Sequence, residues 1–103
     1  QKEIAVQTYN QQPDYVVVTG DLVYPAGQIR DYRTKWFPIY NADTVDLKTG
    51  APLMRTVPII AVPGNHDTDT TGNGLVARDL QAYPDGLAYF LFWQQPLNGP
   101  KLE

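Results

Sequence analysis

The sequence predicts an α/β fold built on a central βαβ unit with parallel strands. Three segments carry that expectation. Residues 15–18 (YVVV) and 57–62 (VPIIAV) are short, mostly β-branched apolar runs, each ended by a glycine turn, as buried strands read. Between them, residues 28–37 (QIRDYRTKWF) place Ile29, Tyr32, Trp36 and Phe37 along one side of a helix. Strand, helix and strand in that order outline a parallel crossover, whose ligands gather beyond the carboxyl ends of the strands.

The remaining elements follow from local chemistry. Residues 2–10 have helical character, with Ile4, Ala5 and Tyr9 available for one face, and Pro13-Asp14 break the chain before the first strand. Both faces of residues 15–18 are apolar, so this strand is expected to be buried on both. Pro38 is expected to limit the helix at 28–37. Residues 41–56, with Gly50 and Pro52, read as a loop or insertion, and Pro58 is tolerable at the start of a strand. Leu75 to Tyr83 suits a short helix before the Pro84-Asp85-Gly86 turn. Residues 87–93 (LAYFLFW) are expected to form a third strand, with a buried helical turn as the alternative. Tyr89, Phe90, Phe92 and Trp93 are read as core.

With 103 residues, 43% apolar and 18% charged, the chain is globular and at most one domain. The formal charge of −3 and the absence of a basic cluster give no sign of nucleic-acid binding. No apolar run approaches the roughly 20 residues of a membrane span. Residues 1–12 are polar and do not read as a signal peptide. The lack of cysteine excludes thiolate metal sites but leaves the compartment open, and nothing bears on oligomeric state.

Two polar clusters follow the two strands. Asp21, after Gly20, offers two carboxylate oxygens at a sheet edge, a donor able to bridge two hard cations, although a turn aspartate is the commoner occurrence. Asn65, His66 and Asp67 follow Gly64. An asparagine oxygen is a neutral hard ligand, and an imidazole titrates near neutrality and can protonate a leaving alkoxide. A neighbouring carboxylate can fix the ring's tautomer. A tight turn with Asn and Asp bonded to backbone is the plainer reading of that tripeptide alone. Tyr24 reads either as an aromatic packed near the strand end or as part of the same chemistry. Weaker candidates are Gly72-Asn73-Gly74, which lacks the Lys-Ser/Thr of a phosphate loop, the turn or helix carboxylates Asp69, Asp79 and Asp85, and Thr68 to Thr71 at the pocket border.

Taken together, VVVTGDLVY and IIAVPGNHD, each an apolar run before its motif, resemble the signature of the calcineurin-like metallophosphoesterases over about residues 15–67. The string from Gly20 to Tyr24 also resembles the GDxxY motif of purple acid phosphatases, whose tyrosine ligates a ferric ion. It argues against the protein serine/threonine phosphatase branch, which has an aspartate at the position of Tyr24. The resemblance implies a four-layer α/β/β/α sandwich, of which this chain supplies the central unit. It implies hydrolysis of phosphomonoesters or phosphodiesters at a dinuclear centre of divalent or mixed-valence Fe, Mn or Zn. Asp21 would bridge the metals, Asn65 would ligate one of them and contact the phosphoryl group, and Tyr24 would ligate. His66 would serve as general acid or as a charge-stabilising donor near the leaving oxygen, and Asp67 would be a supporting catalytic residue rather than a ligand.

The family's first-strand Asp-x-His or Asp-x-Gly motif and its later histidines are missing, since His66 is the one histidine in the sequence. Two protein ligands, or three with Tyr24, do not complete a dinuclear shell. The expectation is therefore that residues 1–103 are a fragment of a single metallophosphoesterase domain, inactive by itself. The alternative is a member of the fold that serves as a non-catalytic binding scaffold.

Overall fold

A computed structural model describes residues 1–68 and 88–94. The expected βαβ core is present. Strand β1 (Val16–Val18) pairs in parallel with β2 (Ile59–Ala61), in the register Val16 to Ile59, Val17 to Ile60 and Val18 to Ala61. Bonds from Val16 N–H to the Pro58 carbonyl and from Val62 N–H to the Val18 carbonyl extend the ladder at both ends. This register brings the two strands to their carboxyl ends together, so the loops after Val18 and Ala61 leave the sheet side by side.

Helix α1 (Lys2–Asn10) precedes β1. Its buried residues are Ala5 and Val6, whereas Ile4, read from sequence as part of the inner face, is exposed. The crossover consists of α2 (Ile29–Asp31), a π-helical turn (Tyr32–Trp36) and α3 (Phe37–Tyr40). Pro38 therefore does not end the helix. The π turn bonds Phe37 N–H back to the Tyr32 carbonyl, and the wider turn absorbs the proline that an unbroken α-helix would reject. Residues 41–56 are not wholly loop. An antiparallel bridge between Asp46 and Gly50 closes a turn, and α4 (Leu53–Thr56) buries Leu53.

Beyond β2 lie α5 (Asn65–Thr68) and α6 (Ala88–Phe92). The segment expected as a third strand is thus helical. Ala88, Tyr89 and Trp93 are buried while Phe90 and Leu91 are exposed, a helical rather than an alternating pattern. Phe90 is accordingly not core. The helix candidate at 75–83, the glycine-rich stretch at 72–74 and Asp69, Asp79 and Asp85 lie outside the described residues.

Two apolar clusters hold these elements. Leu22, Val23, Tyr32, Trp36, Ala61, Tyr89 and Trp93 form the larger, under the crossover helix. Trp36 stacks on Tyr40 at 4.1 Å between ring centroids and meets Trp93 edge-on at 5.7 Å. Ala5, Val6, Ile39, Ala51 and Leu53 form the smaller. The expectation of strands buried on both faces is not met. Val17 and Ile60, paired in register, are 48% and 47% exposed, because the described helices cover the opposite side of the sheet.

Candidate functional site

The residues singled out after each strand meet in one place. Gly20 (φ 111°) and Asp21 (φ 51°) both occupy positive φ and reverse the chain just beyond β1. Glycine does so freely, and aspartate is among the side chains that tolerate it. The reversal carries the Asp21 carboxylate across to the loop after β2, where Oδ1 accepts the backbone N–H of His66 at 3.1 Å.

That bond solves a local problem for α5. Its cap position is Gly64, which has no side chain to accept the free N–H groups of the first turn. Asp21 supplies the missing acceptor from the other loop. Space for it exists only because Gly64 lacks a Cβ, which would overlap Asp21 Oδ1 and the Asp21 backbone nitrogen. The approach is mutual, since a Cβ on Gly20 would lie 3.0 Å from Gly64 Cα.

Asp67 completes the junction. It is fully buried, and its carboxylate accepts the Leu22 N–H at 2.9 Å, the Gly64 N–H at 2.8 Å and the Tyr32 hydroxyl at 3.3 Å. One carboxylate thus joins the β1 loop, the β2 loop and the crossover helix. It does not hold the His66 ring, as a neighbouring carboxylate was expected to do. The ring's Nδ1 lies 2.6 Å from the Pro25 carbonyl. A carbonyl only accepts, so Nδ1 carries a proton, and in the neutral form of the ring Nε2 is then the acceptor nitrogen.

Tyr24 is not packed into the core. It is 48% exposed, its ring lies 4.5 Å from that of His66, and its hydroxyl donates to Asp21 Oδ2 at 2.9 Å. That hydrogen bond, followed by desolvation and the charges of Asp21 and Asp67, raises the phenol above its ordinary value of 10.0. Asn65 is exposed at the start of α5, next to Gly64. Thr68 closes α5, and the rest of the threonine stretch lies outside the described residues. Beside β1, a groove of about 330 Å³ runs along residues 16–21 under Trp36 and Tyr40 and reaches Asp21.

These donors suit a hard cation in kind. A carboxylate, an amide oxygen and a phenol are all oxygen ligands. Each Asp21 oxygen accepts one hydrogen bond and retains lone-pair capacity, and the Tyr24 proton sits between two oxygens that a cation would bring together. In number they fall short, since among the described residues no group of three or more His, Cys, Asp or Glu side chains is disposed to hold a metal ion.

Sequence reading missed Tyr32, the Pro25 carbonyl and the backbone donors around Asp67. The glycines directly before both polar clusters were the available signal of a close loop approach. Tyr32 also offers a test. Burial, then the Asp67 charge, then its hydrogen bond to Asp67 push its phenol well above the ordinary 10.0. Below that value the folded and unfolded phenols both keep their proton. Above it the unfolded chain ionises first, so stability falls as pH rises. The urea midpoint is expected to decline from about pH 9.5 to 11.5, and less steeply in Tyr32→Phe. Equal slopes would show that Tyr32 does not carry this dependence.

A family model described as calcineurin-like phosphoesterase matches residues 2–101. The chain belongs to the calcineurin-like phosphoesterase family. The match extends well beyond the two motifs to nearly the full length, and it agrees with a partial α/β fold around a parallel strand pair. Comparisons with curated proteins and with solved structures return no match. Family membership supports a phosphoesterase-type hydrolase that uses divalent metals and phosphoester substrates. No described helix is long and apolar enough to cross a membrane.

Proposed function

We propose that this chain supplies the Asp21 and Asn65 portion of a dinuclear metal site in a hydrolase of phosphomonoesters or phosphodiesters. The reading rests above all on the bond from His66 N–H to Asp21 Oδ1 at 3.1 Å, which brings the two motif loops together. Asp21 would be the carboxylate shared by the metals, with Asn65 and Tyr24 as further residues that would hold them. The GDxxY string and the Tyr24 hydroxyl at 2.9 Å from Asp21 favour a site of the purple-acid-phosphatase kind. The ligand shortfall favours residues 1–103 being part of a larger domain that contributes the remaining donors, so that the segment alone is inactive.

The bound metals, Fe, Mn or Zn, would supply charge neutralisation at phosphorus and activation of the attacking water. The chain's own residues do the rest. His66, with Nδ1 bonded to Pro25, keeps Nε2 available; once protonated, that nitrogen donates to the departing oxygen. Asp67 acts through the backbone, holding both loops rather than touching substrate.

In the complete enzyme, His66→Ala is expected to lower turnover of an aryl phosphate by about 10²–10³-fold while metal content is kept. Asp21→Asn is expected to lose metal and activity together. Metal content by elemental analysis beside steady-state kinetics distinguishes the two. A His66→Ala enzyme that loses its metal but not its intrinsic chemistry would contradict the general-acid role.

The rival reading, a non-catalytic scaffold, draws on the same shortage of ligands among the described residues. It requires the complete protein to bind no divalent ions and to hydrolyse no aryl phosphate.

A further inference from the structure

The crossover helix carries an ion pair whose position is unusual for a surface contact. Lys35 Nζ lies 2.7 Å from Asp31 Oδ1, one turn earlier, and also donates to the Tyr24 carbonyl. The lysine side chain is 46% exposed, but that of Asp31 is only 4% exposed, and its Oδ2 is buried without a hydrogen-bond partner among the described residues. A half-satisfied buried carboxylate is a costly way to hold a helix turn together. Lys35 also sits in the π-helical turn, a device found often at functional positions.

The carbonyl that Lys35 holds belongs to the residue before Pro25, whose own carbonyl takes the His66 Nδ1 proton. Tyr24 in turn reaches Asp21 through its hydroxyl. Asp31, Lys35, the 24–25 backbone and the His66 ring therefore form one connected strut, from the crossover helix to the imidazole.

We propose that Lys35, anchored by Asp31, is a positioning residue for His66. By fixing the Tyr24 carbonyl it keeps the Pro25 carbonyl on Nδ1 and leaves Nε2 directed to chemistry. The catalytic part of this role rests on the hydrolase reading above; the tautomer part stands on geometry. The ring is directly observable, because the imidazole ¹⁵N signals of His66 in the complete protein are assigned by their absence from the spectrum of His66→Gln.

The test compares the complete wild-type protein with D31N/K35M and K35R at about pH 8.5. The double variant removes both charges, so no buried carboxylate is left unpaired and folding is spared. Circular dichroism checks that it is. The wild type and K35R are expected to show a predominant Nδ1–H tautomer, and D31N/K35M a shift towards the mixture of free imidazole. Turnover of an aryl phosphate is expected to fall about tenfold or more in the double variant, with KM and metal content unchanged, and to recover in K35R. A folded double variant with the wild-type tautomer pattern overturns the strut, as does a wild-type ring protonated mainly on Nε2. If the wild type hydrolyses no phosphoester while the tautomers behave as expected, the hydrolase reading falls and the strut remains.

Discussion

Replacing Asp67 by alanine is expected to lower the urea unfolding midpoint by roughly 1–3 M. The side chain is fully buried and takes donors from three separate elements, the Leu22 N–H, the Gly64 N–H and the Tyr32 hydroxyl. Truncation takes the acceptor from two buried donors, the Leu22 N–H and the Tyr32 hydroxyl, at about 1–3 kcal/mol each, and removes the tie of Asp67 to the Gly64 N–H. Some of this is returned, since the variant no longer desolvates a carboxylate. A net loss of about 3 kcal/mol is the reasonable expectation, a large share of the roughly 5–15 kcal/mol that holds a typical domain. Asp67→Asn keeps one acceptor oxygen but turns an amide N–H₂ towards the remaining donors, and should fall between the two. Chemical denaturation followed by tyrosine and tryptophan fluorescence measures all three proteins. Equal midpoints for wild type and alanine variant would mean that Asp67 does not join the loops energetically.

The role of Asp67 also marks where reading the sequence stops. Strand, turn and polar cluster were legible because each is local: β-branched runs at 15–18 and 57–62, then glycine, then the carboxylate or amide. Parallel pairing of those runs was enough to place Asp21 beside His66. What Asp67 accepts was not legible. Leu22 and Tyr32 are distant in sequence, and a backbone N–H has no signature. The Pro25 carbonyl escaped notice for the same reason. Residues 87–93 misled because an unbroken apolar run shows no period, and only the exposure of Phe90 and Leu91 between buried Tyr89 and Trp93 reveals a helix. Pro38 misled through a rule that holds for α-helices and is evaded by a π turn. Apolar composition on both faces of β1 spoke for burial, yet exposure depends on which layers are present, a tertiary fact.

Gly64→Ala is expected to separate activity from folding. Gly64 does not occupy the left-handed region, so alanine meets no backbone penalty there, and any effect comes from space. The added Cβ would overlap both the Asp21 carboxylate and the Asp21 backbone nitrogen. Rotating the side chain relieves only the first of these, so the loops must part. Parting them breaks the 3.1 Å bond from His66 N–H to Asp21 and leaves α5 without its borrowed cap. The stability cost should be about 1–3 kcal/mol, typical of overpacking, because the strand ladder and the cores beneath are untouched. The cost to the site should be larger in proportion. If Asp21 and Asn65 ligate shared cations as proposed, a carboxylate moved by about 1 Å would no longer meet them, and misplacement on that scale costs about 10² in rate. In the complete enzyme, affinity for Mn²⁺ by calorimetry is therefore expected to fall at least about tenfold and turnover about a hundredfold, with the circular dichroism spectrum preserved. Wild-type affinity and turnover in a folded Gly64→Ala protein would show that the approach of the two loops does not organise the metal ligands. The glycine before Asn65 is then mere spacing, and the contact of the two loops gives Asp21 no role as a shared ligand.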